Sequence, residues 1–209
     1  VLQEVWDDIQ PISHGAVADY IPELGKANPE HFAIAVVTTS GKIYSVGDIG
    51  QRFTIQSAGK PFMYAYLMDS MGEEWVNRKI NVEPSGAAFN SDVLDPMGRP
   101  FNPLINQGAI ASCCLMPDML LAQQRFDALN DFMNSFSNSK LTLDRNVYQS
   151  ESSTGEQNRK IARKLLESGC VETELDMEEG LEAYFMACSA LVDTVGLATM
   201  AATVANKGK

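Results

Sequence analysis

The chain has 209 residues, and 16 Lys+Arg against 27 Asp+Glu leave a net charge of −11 at pH 7 with a sequence pI near 4.6. That balance excludes a nucleic-acid binder, which needs a basic surplus to release counterions from phosphates, and disfavours anionic membrane surfaces. With 45% hydrophobic and 21% charged residues a folded core is expected, and the length points to one domain.

Apolar runs such as Ala33 to Val37 fall far short of the roughly 20 residues needed to cross a bilayer, so no membrane span is expected. The N-terminus, Val1-Leu2-Gln3-Glu4-Val5-Trp6, has no basic segment followed by an apolar one, hence no visible secretory leader. With valine as first residue, the expectation is that preceding residues were removed or never cloned. Cys113, Cys114, Cys170 and Cys188 lack metal-ligand spacing and sit in apolar contexts, which favours buried reduced thiols in a cytoplasmic protein.

In chain order, residues 13 to 28 read as a short helix kinked at Pro22, with Val17, Tyr20, Ile21 and Leu24 on one face. The β-branched run 32–38, the turn residues Thr39-Ser40-Gly41 and the alternation in 42–46 read as a β-hairpin. A short extended piece, 52–56, leads to Ser57. From about Ala58 to Met71 follows a helix apolar nearly all round, stopped by Gly72 and suited to the middle of a domain. Residues 81 to 109 form a long irregular stretch rich in Pro, Gly and Asn; its Phe89, Val93, Leu94, Phe101, Leu104 and Ile105 argue that it is ordered and functional.

Helices are expected over 109–116, 117–136, 155–168, 176–191 and 194–207, with Ser153-Thr154-Gly155-Glu156 as a capping box and Gly169 as a C-terminal cap. No other strand is convincing. A lone hairpin is marginal by itself, so its partner strands are expected from another molecule or from sequence beyond this chain.

Ser57-Ala58-Gly59-Lys60 is the first candidate for chemistry. Ser57 at the mouth of a helix puts Lys60 one turn on and on the same face, giving a nucleophile and an adjacent base. Burial of Lys60 against Phe62, Tyr64 and the preceding strand would weaken its hold on its proton, and the N–H groups at the helix start would help hold an oxyanion. The same pattern also describes an N-cap serine with a solvated lysine. Gly59 and Pro61, poor choices for helix stability, favour the functional reading. Asn90, Asn102 and Asn106 lie among Gly/Pro turns where asparagines commonly cap the backbone.

Glu151 and Asn158, seven residues apart, could clamp an amino group, the alternative for Glu151 being a solvated surface carboxylate. Tyr20 and Tyr184 lie on apolar faces, where a core tyrosine is the ordinary outcome. His14 and His31 pair with no Cys or Ser, so neither a thiol–histidine enzyme nor a metal site is expected.

These segments together resemble the serine-dependent glutaminases. The resemblance is carried by Ala18-Asp19-Tyr20-Ile21-Pro22-Glu23-Leu24, Gln56-Ser57-Ala58-Gly59-Lys60-Pro61, Glu83-Pro84-Ser85-Gly86 with Phe89-Asn90, Asn102-Pro103-Leu104-Ile105-Asn106-Gln107-Gly108, Ser150-Glu151, Cys188-Ser189 and the 200–206 segment. The match is in order over nearly the whole chain. It implies an α/β (α+β) domain with the fold of serine β-lactamases and penicillin-binding proteins, which also use Ser-x-x-Lys. That domain would be a helical subdomain (73–207) beside the hairpin and the Ser-x-x-Lys helix (13–72).

The resemblance further implies that Ser57 attacks the side-chain amide carbon of L-glutamine, that Lys60 takes the serine proton, and that water releases glutamate from the γ-glutamyl ester. Tyr20, Asn106, Glu151, Asn158 and Tyr184 fall on substrate-contact positions, Glu151 meeting the ligand ammonium. No cofactor or metal is implied, and a homo-oligomer, dimer or tetramer, is expected.

Three positions depart from the family pattern. Gln157 stands where Arg is usual, and Cys113-Cys114 replaces a small polar pair. Family members also continue past the equivalent of Lys209 with a further active-site tyrosine, a Lys-Ser-Gly-Val-like strand that completes the oxyanion hole, and the remaining sheet strands; the expectation is therefore a truncated catalytic domain. A β-lactam- or peptide-directed acyl-serine hydrolase and an inactive glutamine- or glutamate-binding fragment are the alternatives.

Overall fold

The structure, a computed structural model, describes residues 1–117 and 121–209. It begins with a helix, α1 (Leu2–Ile9), that turns Trp6 onto Phe32, the rings stacked with centroids 6.4 Å apart. The expected hairpin forms as β1 (Ala33–Val37) and β2 (Ile43–Gly47), antiparallel, with Val37 opposite Ile43 and Ala33 opposite Gly47. Gly41 closes the turn at φ +80°, a conformation glycine takes without steric cost.

The helix expected over 13–28 does not form. Gly15, Pro22 and Gly25 interrupt it, and only one 3-10 turn, Leu24–Lys26, is regular. The segment is instead tied across the molecule: Ile21 is buried, and the Glu23 amide donates to Ser150 Oγ at 3.2 Å.

A second sheet corrects the expectation of no further strand. β3 (Arg52–Thr54) leads through the 3-10 turn Gln56–Gly59 into α2 (Lys60–Met71) and α3 (Glu73–Lys79). After the long loop come α4 (Asn106–Cys114), α5 (Ala122–Phe136), β4 (Thr142–Leu143), α6 (Arg145–Thr154), α7 (Glu156–Glu167), α8 (Glu174–Cys188), β5 (Ala190–Asp193) and α9 (Thr194–Ala205). β5 lies between β3 and β4, antiparallel to both, with Leu191 opposite Thr54 on one side and Thr142 on the other. Arg52 binds the strands together through the carbonyls of Lys140 and Leu191, both at 2.7 Å.

The expected 117–136 helix begins at Ala122, residues 118–120 lying outside the described residues. Residues 190–191, assigned to a helix, belong to β5. α1, α3 and α6 were not anticipated, and the anticipated capping box is not one. Ser153 and Thr154 close α6, their hydroxyls donating back to the Ser150 carbonyl at 3.0 and 2.8 Å. The side-chain caps are Asp144, Thr173 and Asp193, each accepting from the first turn of the helix it precedes. Gly169, at φ +74°, ends α7 as expected.

The centre of the molecule is α4 against α8. All nine residues of α4 are buried. The two backbones meet at Gly180, where a Cβ would stand 2.4 Å from Cys114 Cα, so only glycine allows this approach. α5, α7 and α2 complete the shell around this pair. The 81–105 loop is ordered by buried Asp95, whose carboxylate accepts from the amides of Met97 and Arg99 and from Arg99 Nε, all at 2.9 Å. All four cysteines are free and buried.

Candidate active site

Three strand ends converge on Ser189. The Ile55 amide, just past β3, donates to the Ala190 carbonyl at 2.8 Å, and the Asp144 amide, just past β4, donates to the Ser189 carbonyl at 3.0 Å. The short sheet therefore brings together the turn that carries Ser57, the end of α8 and the start of α6.

Beyond β3, Gln56 takes φ +47°, a left-handed conformation unusual for a side chain with a Cβ, and the chain swings into the 3-10 turn with Ser57 exposed at its opening. Lys60 opens α2 and is 4% exposed. Pro61 sits in the first turn of α2, where its missing N–H costs no hydrogen bond, so it favours the helix rather than weakening it.

Lys60 Nζ donates to Asn106 Oδ1 at 2.7 Å, and Asn106 Nδ2 donates to Asn158 Oδ1 at 2.9 Å. The Phe89 ring lies 5.8 Å from Nζ. Burial holds the Lys60 ammonium below its ordinary pKa, the effect the sequence pointed to, with Asn106 and Phe89 as polar and aromatic neighbours beyond the expected Phe62 and Tyr64. Asn106 is thus part of a chain of hydrogen bonds with Lys60 and Asn158, not a local turn cap.

Glu151, on α6, is 5% exposed and not a solvated surface carboxylate. Burial pushes its carboxyl up to about 8, opposed by hydrogen bonds from Gln56 and Ser189. Asn158 follows on α7, past the break at Gly155. A Cβ on Gly155 would stand 2.5 Å from the Phe185 ring, so the two helices meet over α8 only with glycine there. An ion pair below this junction fixes it: Glu182 accepts from Tyr148 Oη at 2.8 Å, from Ser152 Oγ at 3.1 Å and from Arg159 Nη1 at 3.4 Å.

The two tyrosines part company. Tyr184, on α8, is 3% exposed and is the core tyrosine expected of it. Tyr20 is 68% exposed on the loop that replaced the expected helix, its Oη 3.4 Å from Gln56 Oε1.

Tyr20, Ser57, Asn106, Glu151, Asn158 and Tyr184 line one pocket of about 370 Å³, and Lys60 is joined to that lining through Asn106. His14 and His31 are exposed and take no part in it. Gln157, at the position that departs from the family pattern, also lines it and donates to the Asn90 carbonyl at 2.9 Å.

Gln56, Phe89, Cys188 and Ser189 were missed as individual site residues. Their only signal was adjacency to motif residues, since the left-handed Gln56 and the meeting at Ser189 depend on the sheet. Chemically, the pocket offers a hydroxyl, amides and a carboxyl group, and one of the amides, Asn106, accepts from a lysine whose pKa burial lowers.

A family model described as Glutaminase matches residues 15–209. The chain is 40% identical over 209 residues to a glutaminase of Trichormus variabilis, covering all of this chain and 62% of that one. It is 42% identical over 207 residues to glutaminase 2 of Bradyrhizobium diazoefficiens, covering 99% of this chain and 33% of that one. The chain therefore spans less than two thirds of these relatives.

Among solved structures it is similar to a probable glutaminase, ybaS, with a TM-score of 0.91 at 32% identity over 98% of this chain and 66% of that one. It is similar also to Mglu in its glutamate form, with a TM-score of 0.88 at 29% identity over 100% and 49% of the two chains. The fold is the β-lactamase-like one expected. Sequence motifs, fold and relatives agree along the whole described length, and the chain belongs to the glutaminase family.

Proposed function

We propose that the chain is a truncated single catalytic domain of an enzyme hydrolysing the side-chain amide of L-glutamine to L-glutamate and ammonia through a Ser57 acyl-enzyme. The observation carrying this reading is an exposed serine and a buried carboxyl group on one small pocket, with a buried lysine below its ordinary pKa bonded to Asn106 of the pocket lining.

Ser57 Oγ attacks the amide carbon while Lys60 receives the hydroxyl proton, a role eased by the burial that holds its pKa below the ordinary value. Ser57 stands where a helical turn opens and backbone N–H groups lack intrahelical partners, so the developing oxyanion finds donors there. Ammonia leaves, and water then attacks the ester.

Glu151 receives the ligand ammonium. Asn158 has its Nδ2 group left to donate to the carboxylate, because its Oδ1 is taken by Asn106. Tyr20 and Tyr184 both line the slot. An amide lacking the amino group would leave Glu151 without its partner, the basis of discrimination in such sites.

The test is labelling by a diazoketone analogue of glutamine, read by mass spectrometry, beside ammonia release. Modification is expected on Ser57 and lost in Ser57→Ala. Modification elsewhere, or ammonia release that survives Ser57→Ala, overturns the assignment. Acylation of Ser57 by a β-lactam with no response to glutamine would favour the hydrolase alternative.

A cytoplasmic setting is proposed on the four free, buried thiols. A homo-oligomer is proposed on the exposed Val82, Phe89, Val93, Met97 and Leu104 of the long loop, with sedimentation as its test. No helix among the described residues is long and apolar enough to cross a membrane.

A further inference from the structure

Glu151 is a buried carboxyl group that meets no countercharge. None of the ion pairs among the described residues includes it. The ionisable groups around it are Tyr20 on the entry loop, Tyr184 and Cys188 on α8, and Lys60 on α2. Burial raises both phenols and the thiol above their ordinary values, so all three are neutral near pH 7. The Lys60 amine is turned to Asn106.

A bare carboxylate in such surroundings is costly and takes up a proton instead. Hydrogen bonds from Gln56 and Ser189 favour the carboxylate, but burial outweighs them; the Ser189 bond is long, its Oγ 3.5 Å from Glu151 Oε2, while the same hydroxyl lies 2.8 Å from the Phe185 carbonyl.

We propose that glutamine enters this pocket by proton exchange: Glu151 is protonated in the ligand-free protein and gives its proton to solvent as the ligand ammonium settles against the carboxylate. The inference rests on the reading that Glu151 holds the amino group. In the step the carboxylic O–H bond breaks, the proton passes to water or buffer, and the ammonium keeps its three hydrogens. Each zwitterionic ligand bound therefore releases one proton. Burial, opposed by the Gln56 and Ser189 hydrogen bonds, sets the window, with the carboxyl up at about 8. Below it the apparent Kd for glutamine rises about tenfold for each unit of pH lowered, and above it the dependence vanishes.

The experiment is calorimetric titration of the 209-residue chain carrying Ser57→Ala with glutamine, at pH 6.5, in buffers of small and large ionisation enthalpy. The expected result is a heat that varies with the buffer, with a slope near one proton released per ligand, declining as the pH is raised towards 9. A buffer-independent heat with binding intact overturns the proposal. A second readout is difference infrared spectroscopy, in which the carbonyl band of a protonated carboxylic acid should disappear when glutamine is added; its persistence also overturns the proposal.

Glu151→Gln separates this inference from the reading beneath it. If the variant binds glutamine as tightly as its parent, the amino-group assignment fails, and the proposal with it. If the variant weakens binding while the parent releases no proton, only the proton exchange fails. An analogue of glutamine lacking the amino group should bind weakly and release none.

Discussion

The two sheets of this molecule are built on opposite terms. The hairpin β1–β2 has five-residue strands of strong β-formers with a clear turn, yet no residue in either strand is fully buried. The sheet β3–β5–β4 has strands of three, four and two residues with little pattern, yet Ala190 and Val192 of β5 are completely buried and the strand ends meet at the candidate site. Strength of local pattern and structural importance are therefore different quantities here. The hairpin is held by its own pairing, α1 and α9; the second sheet is held by what packs on it.

The sharpest test of this contrast is on activity. Ser57→Ala, at the end of the poorly patterned sheet, should lower ammonia release or diazoketone labelling by on the order of 10⁴-fold or more. Because Ser57 is exposed, its urea midpoint should stay within about 0.5 kcal/mol of the parent.

Glu151→Gln should act on stability as a function of pH. The carboxyl titrates near 8 in the folded chain against 4.5 when unperturbed, so the folded state binds more protons between these values. The contribution of Glu151 to stability is fully present below pH 4.5 and is lost as the pH rises through 8. The variant should gain on the parent across that window by up to roughly 5 kcal/mol and gain nothing further above it, read from denaturation midpoints at a series of pH values.

Gly180→Val forces a branched side chain onto the Cys114 backbone and should cost about 3 kcal/mol or more in urea unfolding, with glutamine binding lost in proportion. Val36→Ser, on the half-exposed hairpin, should cost about 0.5 kcal/mol and leave labelling of Ser57 unchanged. A large effect from the hairpin substitution would break the comparison; a small one from Gly180→Val would do the same from the other side.

Legibility followed the range of the forces involved. The hairpin, the apolar α2, the amphipathic α5 and α7 and the Ser57–Lys60 spacing were all readable, since each depends on residues within one or two turns. α3 went unread because a seven-residue helix gives too little periodicity, and α6 because its polar sequence buries only Val147 and Glu151. The expected helix over 13–28 shows the reverse error. A plausible apolar face at Tyr20, Ile21 and Leu24 was overridden by Gly15, Pro22 and Gly25, and the segment became the loop that carries Tyr20 to the pocket mouth.

By itself the sequence determined the class of molecule: an acidic, core-forming chain with a hairpin, several helices and the ordered motifs of one enzyme family. Those are properties of composition and of neighbours along the chain. Only the tertiary structure decided that Arg52 would pair opposite Asp193, that Lys60 would meet Asn106, and that Glu151 would lie buried among neutral groups. Each of these joins residues dozens of positions apart, and burial, which moves the proton affinity of both Lys60 and Glu151, is a property of what the fold packs around a side chain.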